Sequence, residues 1–261
     1  MSLFATRGLT VRFGGLVALD QVDVEVREGE TLGLIGPNGS GKTTFFNAVT
    51  GLYAPVAGEI SFRGESLRGL EPHAICRRGI ARTFQSSRLC LNLSVFDNVL
   101  TGMHSQVRCG VWDALFRRRR VMAEVRKGLR HAAHLLALFN ADLVDRGFDP
   151  VGALPQIDRR RVEICRALAA RPRLLLLDEP SAGMNPEETR ELMKDLQIVR
   201  EEMPGLSIVI IEHDMFVIEG VSQRVVAFNY GRKIAEGSFT EVARNEEVRT
   251  AYLGGEETGG A

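Results

Sequence analysis

Cysteine is scarce and unpatterned in this chain. Four occur in 261 residues, Cys76, Cys90, Cys109 and Cys165, and no two stand in a C-x-x-C pair. That spacing excludes a cysteine-built metal site or disulfide framework and suits a protein kept reduced in the cytosol. Net charge is missing too, since 33 Lys plus Arg balance 33 Asp plus Glu. This argues against bulk electrostatic capture of nucleic acid, and no nucleic-acid partner is expected. No stretch approaches the roughly 18 to 20 apolar residues of a membrane span, and Met1 to Val11 lacks the apolar centre of a secretory signal. A soluble chain is expected, one that meets a membrane only through a partner. Internal repeats are absent. The length allows one large domain, or a domain carrying an inserted lobe.

What the chain does contain is Gly36-Pro37-Asn38-Gly39-Ser40-Gly41-Lys42-Thr43-Thr44. This is G-x-x-x-x-G-K-[ST], and it has the context that pattern requires. The apolar run Thr31 to Ile35 before it reads as a buried strand, and Phe45 to Val49 after it as a helix. The glycines allow φ > 0 and a close approach of backbone to an anion. Successive N–H groups then cradle a β-phosphate at a helix N-terminus, where the helix dipole favours negative charge. Lys42 is placed to bridge the β- and γ-phosphates, and the Thr43 hydroxyl to hold Mg²⁺. A nucleoside triphosphate is the expected ligand.

Around this loop the chain alternates strand and helix patterns. Leu3 to Phe13, Val22 to Val26 and Glu59 to Arg63 read as half-buried strands of a small antiparallel sheet, with Phe13 in the loop between the first two, placed to stack on an adenine face. Ala81 to Gln85 reads as a short strand ending in a polar residue. Ser94 to Asp97 opens a helix with a capping-box pattern. Val111 to Phe139 is amphipathic, with apolar positions at Leu129, Leu135, Leu136, Leu138 and Phe139. Its basic run, Arg117 to Arg120, is either a solvated helix face or a contact for headgroups or an acidic loop. After the polar break Asp142 to Pro150, Asp158 to Ala170 forms a helix that Pro172 ends. Ser207 to Ile211 is a buried strand, and Arg224 to Phe228 with Arg232 to Ala235 a final hairpin. The expected fold is α/β: a mainly parallel sheet of the P-loop NTPase type, an N-terminal antiparallel β subdomain, and an inserted α-helical subdomain.

Leu174 to Leu177 delivers Asp178 and Glu179 to the C-terminal edge of a strand, where ligands of open α/β sheets sit. Being adjacent along an extended chain, the two carboxylates point to opposite sides. Asp178 faces the Mg²⁺ shell, and Glu179 reaches a water in line with the γ-phosphate and polarises or deprotonates it. Gln85 is placed to sense both Mg²⁺ and that water. His213, ending a separate strand after Glu212, is placed to bind the γ-phosphate and orient Glu179. Asn185-Pro186-Glu187-Glu188 begins a helix with a cap, a Pro at the first position and an acid three residues after the cap.

With these residues in hand, nearly the whole chain resembles the nucleotide-binding subunits of ABC transporters. The resemblance implies that Phe13 is the base-stacking aromatic, Gly36 to Thr44 Walker A, Gln85 the Q-loop residue, Leu174 to Glu179 Walker B, Ser181 to Asn185 the D-loop and His213 the switch histidine. Arg82-Thr83-Phe84-Gln85, Gly183-Met184-Asn185-Pro186, Asn229-Tyr230-Gly231 and Ala251-Tyr252-Leu253-Gly254 look like the branched-chain amino-acid import branch. The resemblance divides the chain into a core with its β subdomain, residues 1–85 and 171–261, and a helical subdomain, residues 86–170. It implies ATP and Mg²⁺ as ligands, ATP hydrolysis coupled to transport, and a peripheral location on the cytoplasmic face of the plasma membrane. The implied partners are integral membrane permeases, a second ABC ATPase (the same chain or a different one) and, indirectly, a periplasmic solute-binding protein. Urea or amides in place of amino acids, and a soluble ATPase acting on nucleic acid or ribosomes, are the alternatives.

One segment departs from the family. The resemblance implies a signature loop, Leu-Ser-Gly-Gly-Gln or, often in this branch, Leu-Pro-x-Gly, before the helix beginning near Asp158, and here the residues are Leu154-Pro155-Gln156-Ile157-Asp158. Pro155 removes an N–H donor, and Ile157 puts a β-branched side chain where backbone should approach phosphate. In the family this loop acts in trans on the other subunit's ATP. A partner ATPase with an intact signature, and hydrolysis concentrated at this chain's own Walker motifs, are therefore expected; the alternative is that Gln156 to Arg161 shifts the loop and retains the contact.

Overall fold

The computed structural model describes residues 2–84, 88–104, 113 and 116–253. Two sheets form from two kinds of sequence. Strands β1 (Ser2–Phe13) and β2 (Leu16–Arg27) alternate buried and exposed residues, as strands do when only one face is covered. They pair antiparallel across the two-residue turn Gly14-Gly15, with Phe13 opposite Leu16. The hairpin is thus tighter and its second strand longer than alternation suggested, and Phe13 ends β1 and does not stand in a loop. Strand β3 (Thr31–Ile35) follows, then helix Lys42–Val49, β4 (Ala57–Phe62) and the two-residue β5 (Glu65–Ser66). The first sheet has the order β2-β1-β4-β5.

The second sheet has the order β10-β9-β3-β8-β7-β6, from β6 (Ile80–Arg82), β7 (Leu174–Asp178), β8 (Ser207–Ile211), β9 (Arg224–Asn229) and β10 (Arg232–Gly237). All of its pairings are parallel except the β9–β10 hairpin. Every residue of β3, β7 and β8 is buried, the signature of a parallel sheet covered on both faces. The β3 position between β9 and β8 sets the phosphate loop at the centre of the sheet's C-terminal edge.

Between β6 and β7 lies a helical lobe: Val95–Thr101, Arg118–Phe139, the single turn Asp142–Asp145, and Gln156–Ala169. Leu135, Leu136 and Phe139 of the long helix are buried as its pattern required, and Leu129 and Leu138 pack partly buried against the same core. The part of that pattern from 111 to 115 falls largely outside the described residues. Arg117 to Arg120 are all exposed. Ser94 caps its helix by accepting from the Asp97 N–H at 3.0 Å, but Asp97 binds the Ser94 hydroxyl and not its backbone, so the box is half made. Among the described residues, no helix is long and apolar enough to cross a membrane.

Candidate nucleotide site

The loop after β3 is shaped for an anion. Gly36 has φ +149°, and a Cβ there would meet the Phe228 carbonyl oxygen at 2.3 Å, so only glycine lets the chain leave the sheet against β9. Gly41, at φ +104°, occupies the cap position of helix Lys42–Val49, which has no side-chain cap and no acid in its first turn. Its leading N–H groups are left for a ligand oxygen. Lys42 is buried and folds back onto the loop, Nζ donating to the carbonyls of Gly36 at 2.6 Å and Pro37 at 3.0 Å. Burial pulls its pKa down, opposed by the charges of Glu179 and Asp178. Neutral carbonyls hold the ammonium where phosphate oxygens would bind it better.

A cavity of about 450 Å³ opens on this loop, lined by Phe13, Lys42, Thr43, Glu179, His213 and Tyr230 among others. It gathers residues from the first hairpin, the phosphate loop and the ends of β7 and β8. Phe13 is 44% exposed at its rim, edge-on to Tyr53 with ring centroids 4.9 Å apart. That contact fixes the ring while leaving a face open for a base. Thr43 is exposed at the mouth.

Asp178 ends β7 buried. One carboxylate oxygen accepts from Arg82 Nη2 at 2.7 Å, and the other is buried without a partner. Burial raises its pKa against the pull of Arg82. An orphaned buried carboxylate oxygen is what a hard oxygen-seeking cation completes, and so the donor set of Asp178 with Thr43 fits Mg²⁺.

Glu179 follows at φ +47°, unusual for a residue with a side chain. Its N–H donates to the Ile211 carbonyl at 2.9 Å, locking the turn to the neighbouring strand. That turn swings the carboxylate to His213, whose Nε2 lies 2.7 Å from Glu179 Oε1. The predicted pair is therefore brought together by two adjacent parallel strands. Glu212, one residue before, is buried and accepts from the Ser181 N–H at 2.8 Å and the His213 N–H at 3.2 Å, although burial raises its pKa. It ties the loop after Glu179 to the histidine, a role sequence reasoning missed. A carboxylate directly after the apolar run Ile208 to Ile211 was the available signal.

Arg82 was also missed as a site residue. Besides Asp178 it binds Asn47 Oδ1 at 2.7 Å and lies over the rings of Phe46 and Phe84. Gln85 lies outside the described residues. Its neighbour Phe84 donates its N–H to Glu163 Oε1 at 3.4 Å, linking that segment to helix Gln156–Ala169.

The segment Leu154 to Asp158 does not form an open glycine loop. The helix starts at Gln156, earlier than Asp158, because Pro155 supplies an extended cap residue. Ile157 is 8% exposed and turned into the protein. Gln156 Nε2 donates to the Ala182 carbonyl at 3.1 Å, in the loop after Glu179. Asn185 closes that loop with the complete capping box expected of it.

A phosphate loop on a central parallel strand, a carboxylate pair at the same C-terminal edge of the sheet and a helical lobe between them in sequence define an ATP-binding cassette. Residues 19–182 match the ABC transporter family, and residues 232–258 match the family described as branched-chain amino acid ATP-binding cassette transporter. The chain belongs to the ABC transporter family. It is 40% identical over 252 residues, 97% of this chain and 98% of the other, to the high-affinity branched-chain amino acid transport ATP-binding protein LivG of Salmonella typhimurium. To BraF of Pseudomonas aeruginosa, named for the same transport, it is 39% identical over 247 residues, 95% of this chain and 96% of BraF. Among solved structures, a nucleotide-free ATP-binding cassette from an ABC transporter superposes with a TM-score of 0.82 at 26% identity, covering 97% of this chain and 99% of that one.

Proposed function

We propose that this chain is the ATP-hydrolysing subunit of an ABC importer that energises uptake of branched-chain or other hydrophobic amino acids through partner permeases. The observation that carries the reading is the convergence of Lys42, Asp178, Glu179 and His213 on one sheet edge. The cargo rests on the likeness to LivG and BraF and on the match of residues 232–258. On this reading the chain sits on the cytoplasmic face of the plasma membrane, held there by the permeases.

Lys42 leaves the Gly36 carbonyl for the β- and γ-phosphates, and the loop N–H groups take the β-phosphate oxygens. Phe13 stacks on the adenine. Bound at Asp178 and Thr43, Mg²⁺ would neutralise charge developing on the β- and γ-oxygens. Glu179 accepts a proton from the attacking water, and His213 holds the carboxylate in line while contacting the γ-phosphate. Catalysis here is positioning and electrostatics, with no covalent step on the protein.

Residues 86–170 act as a helical subdomain that moves against the core formed by residues 1–85 and 171–261. Between the two, an apolar groove of about 400 Å³ is lined by Leu52, Pro72, Ile75, Phe84, Arg88 and others. It suits an apolar segment of a permease. The inward Ile157 and the Gln156 contact support a second, different ATPase as partner, because this chain offers little open backbone to another subunit's phosphate.

Membrane vesicles carrying the assembled transporter test the proposal. They should take up labelled leucine only with ATP, and the Glu179→Gln chain should abolish uptake. ATP-driven uptake of urea without leucine would reject the cargo. Brisk hydrolysis by this chain alone, unchanged by Ile157→Gly, would reject the need for a different partner ATPase.

A further inference from the structure

The last described helix, Glu246–Leu253, touches the nucleotide loop at one polar point. Tyr252 Oη accepts from the Gly36 N–H at 2.8 Å, across 216 residues of sequence. Asn185 and Ser238 cap helices elsewhere, and here Asn245 does the same, its Oδ1 accepting from the N–H groups of Glu247 at 2.9 Å and Val248 at 3.2 Å. Val248 is 4% exposed, and Tyr252 packs against the main core. Away from Tyr252 the helix stands off, leaving a cleft of about 1030 Å³ between it and Pro37 to Ser40. The contact is therefore local, and a hydroxyl carries it.

Gly36 is where the loop has least freedom. It is buried, its φ is open in practice only to glycine, and a Cβ would strike both Phe228 and the Ser40 hydroxyl. Both of its backbone polar groups are held by side chains: the N–H by Tyr252 and the carbonyl by Lys42 at 2.6 Å. When Lys42 turns to phosphate it releases that carbonyl, and the Tyr252 bond is then the side-chain hold that remains. Burial pushes the Tyr252 phenol up to about 12, so it stays protonated across the physiological range.

We propose that Tyr252 is a positioning residue of the nucleotide site: its hydroxyl fixes Gly36 and so keeps the phosphate loop in its anion-binding shape. The inference rests on the reading of that loop as a nucleotide site. Without the oxygen, the buried Gly36 N–H has no partner, and the loop can regain one only by leaving its nest geometry toward water. A nucleotide must then restore the geometry on binding, and affinity falls. The coupling is reciprocal, so a bound nucleotide must also hold the helix down.

The full chain titrated with a fluorescent ADP analogue and Mg²⁺ tests this. Tyr252→Phe, which keeps the ring and its packing, should weaken binding about five-fold, the loss of one net hydrogen bond. Leu253→Ala, at an exposed neighbouring residue, should leave binding unchanged. In the assembled transporter Tyr252→Phe should raise KM for ATP while kcat at saturation stays near wild type. Nucleotide should slow amide exchange in residues 246–253 of the wild-type chain and do so less in the variant. Equal affinity and equal exchange protection in wild type and Tyr252→Phe would overturn the inference alone. Failure of the wild-type chain to bind nucleotide would overturn the site reading and this inference with it.

Discussion

His213 Nε2 and Glu179 Oε1 lie 2.7 Å apart, although 34 residues separate them. The contact exists because β7 and β8 are parallel neighbours and both side chains leave their C-terminal ends. His213 thus holds a carboxylate that sits on a turn already strained at φ +47°. Replacing His213 with Ala should reduce ATP turnover by roughly 10² or more while changing nucleotide affinity only a few-fold. The double variant with Glu179→Gln should be little worse than the worse single one, since residues acting as a unit are non-additive. Turnover of the four forms in the assembled transporter checks this; losses that multiply would separate the two roles.

Arg82 and Asp178 form a pair whose side chains are 5% and 2% exposed. Removing one partner strands a buried charge, so Arg82→Ala should destabilise the chain by about 3 kcal/mol in denaturant unfolding. Adding Asp178→Asn to that variant should recover part of the loss. A single-variant cost below about 1 kcal/mol would show that the pair is not held as described.

Glu30 joins the start of β3 to β9 through a two-point contact with Arg224, at 2.7 and 2.9 Å. Burial alone would raise its pKa, but the bonds from Arg224 and the Arg27 N–H outweigh it and hold the carboxyl below its ordinary 4.5. A depressed carboxyl contributes stability above its unfolded value and loses it as pH falls through the folded one. Glu30→Gln should therefore cost roughly 2 kcal/mol near pH 7, with the gap to wild type closing below pH 4.5. Thermal unfolding of both forms from pH 3 to pH 8 reads this directly. A gap that widens in acid would reverse the sign.

The readable parts of this molecule were those whose chemistry is local. Gly36 to Thr44 declares itself because a backbone anion nest needs glycines at fixed steps followed by Lys-Thr. The run of leucines before Asp178 declares a buried strand that must end in something functional. Asn185-Pro186 declared its helix start for the same reason. The helix Pro72–Arg78 is too short for periodicity to mark, and its sequence signals are only Pro72 at its first turn and Gly79 after it, which the structure places at φ +105°. What could not be read locally was register between distant strands. Arg82 meets Asp178 only because β6 lies beside β7, and Gly36 meets Tyr252 only because the last described helix returns beside β9. Ile157 is visible as a misfit in the signature segment, but its burial, at 8% exposure, is not readable from that segment.

The most direct test is single-turnover release of labelled phosphate from Mg-ATP by the assembled transporter, with wild-type chain and with Glu179→Gln. The arrangement at the edge of β7 predicts that the variant binds ATP within a few-fold of wild type and releases phosphate at least about 10² slower. Release at the wild-type rate would contradict Glu179 as the residue that activates water, and with it the account of this site.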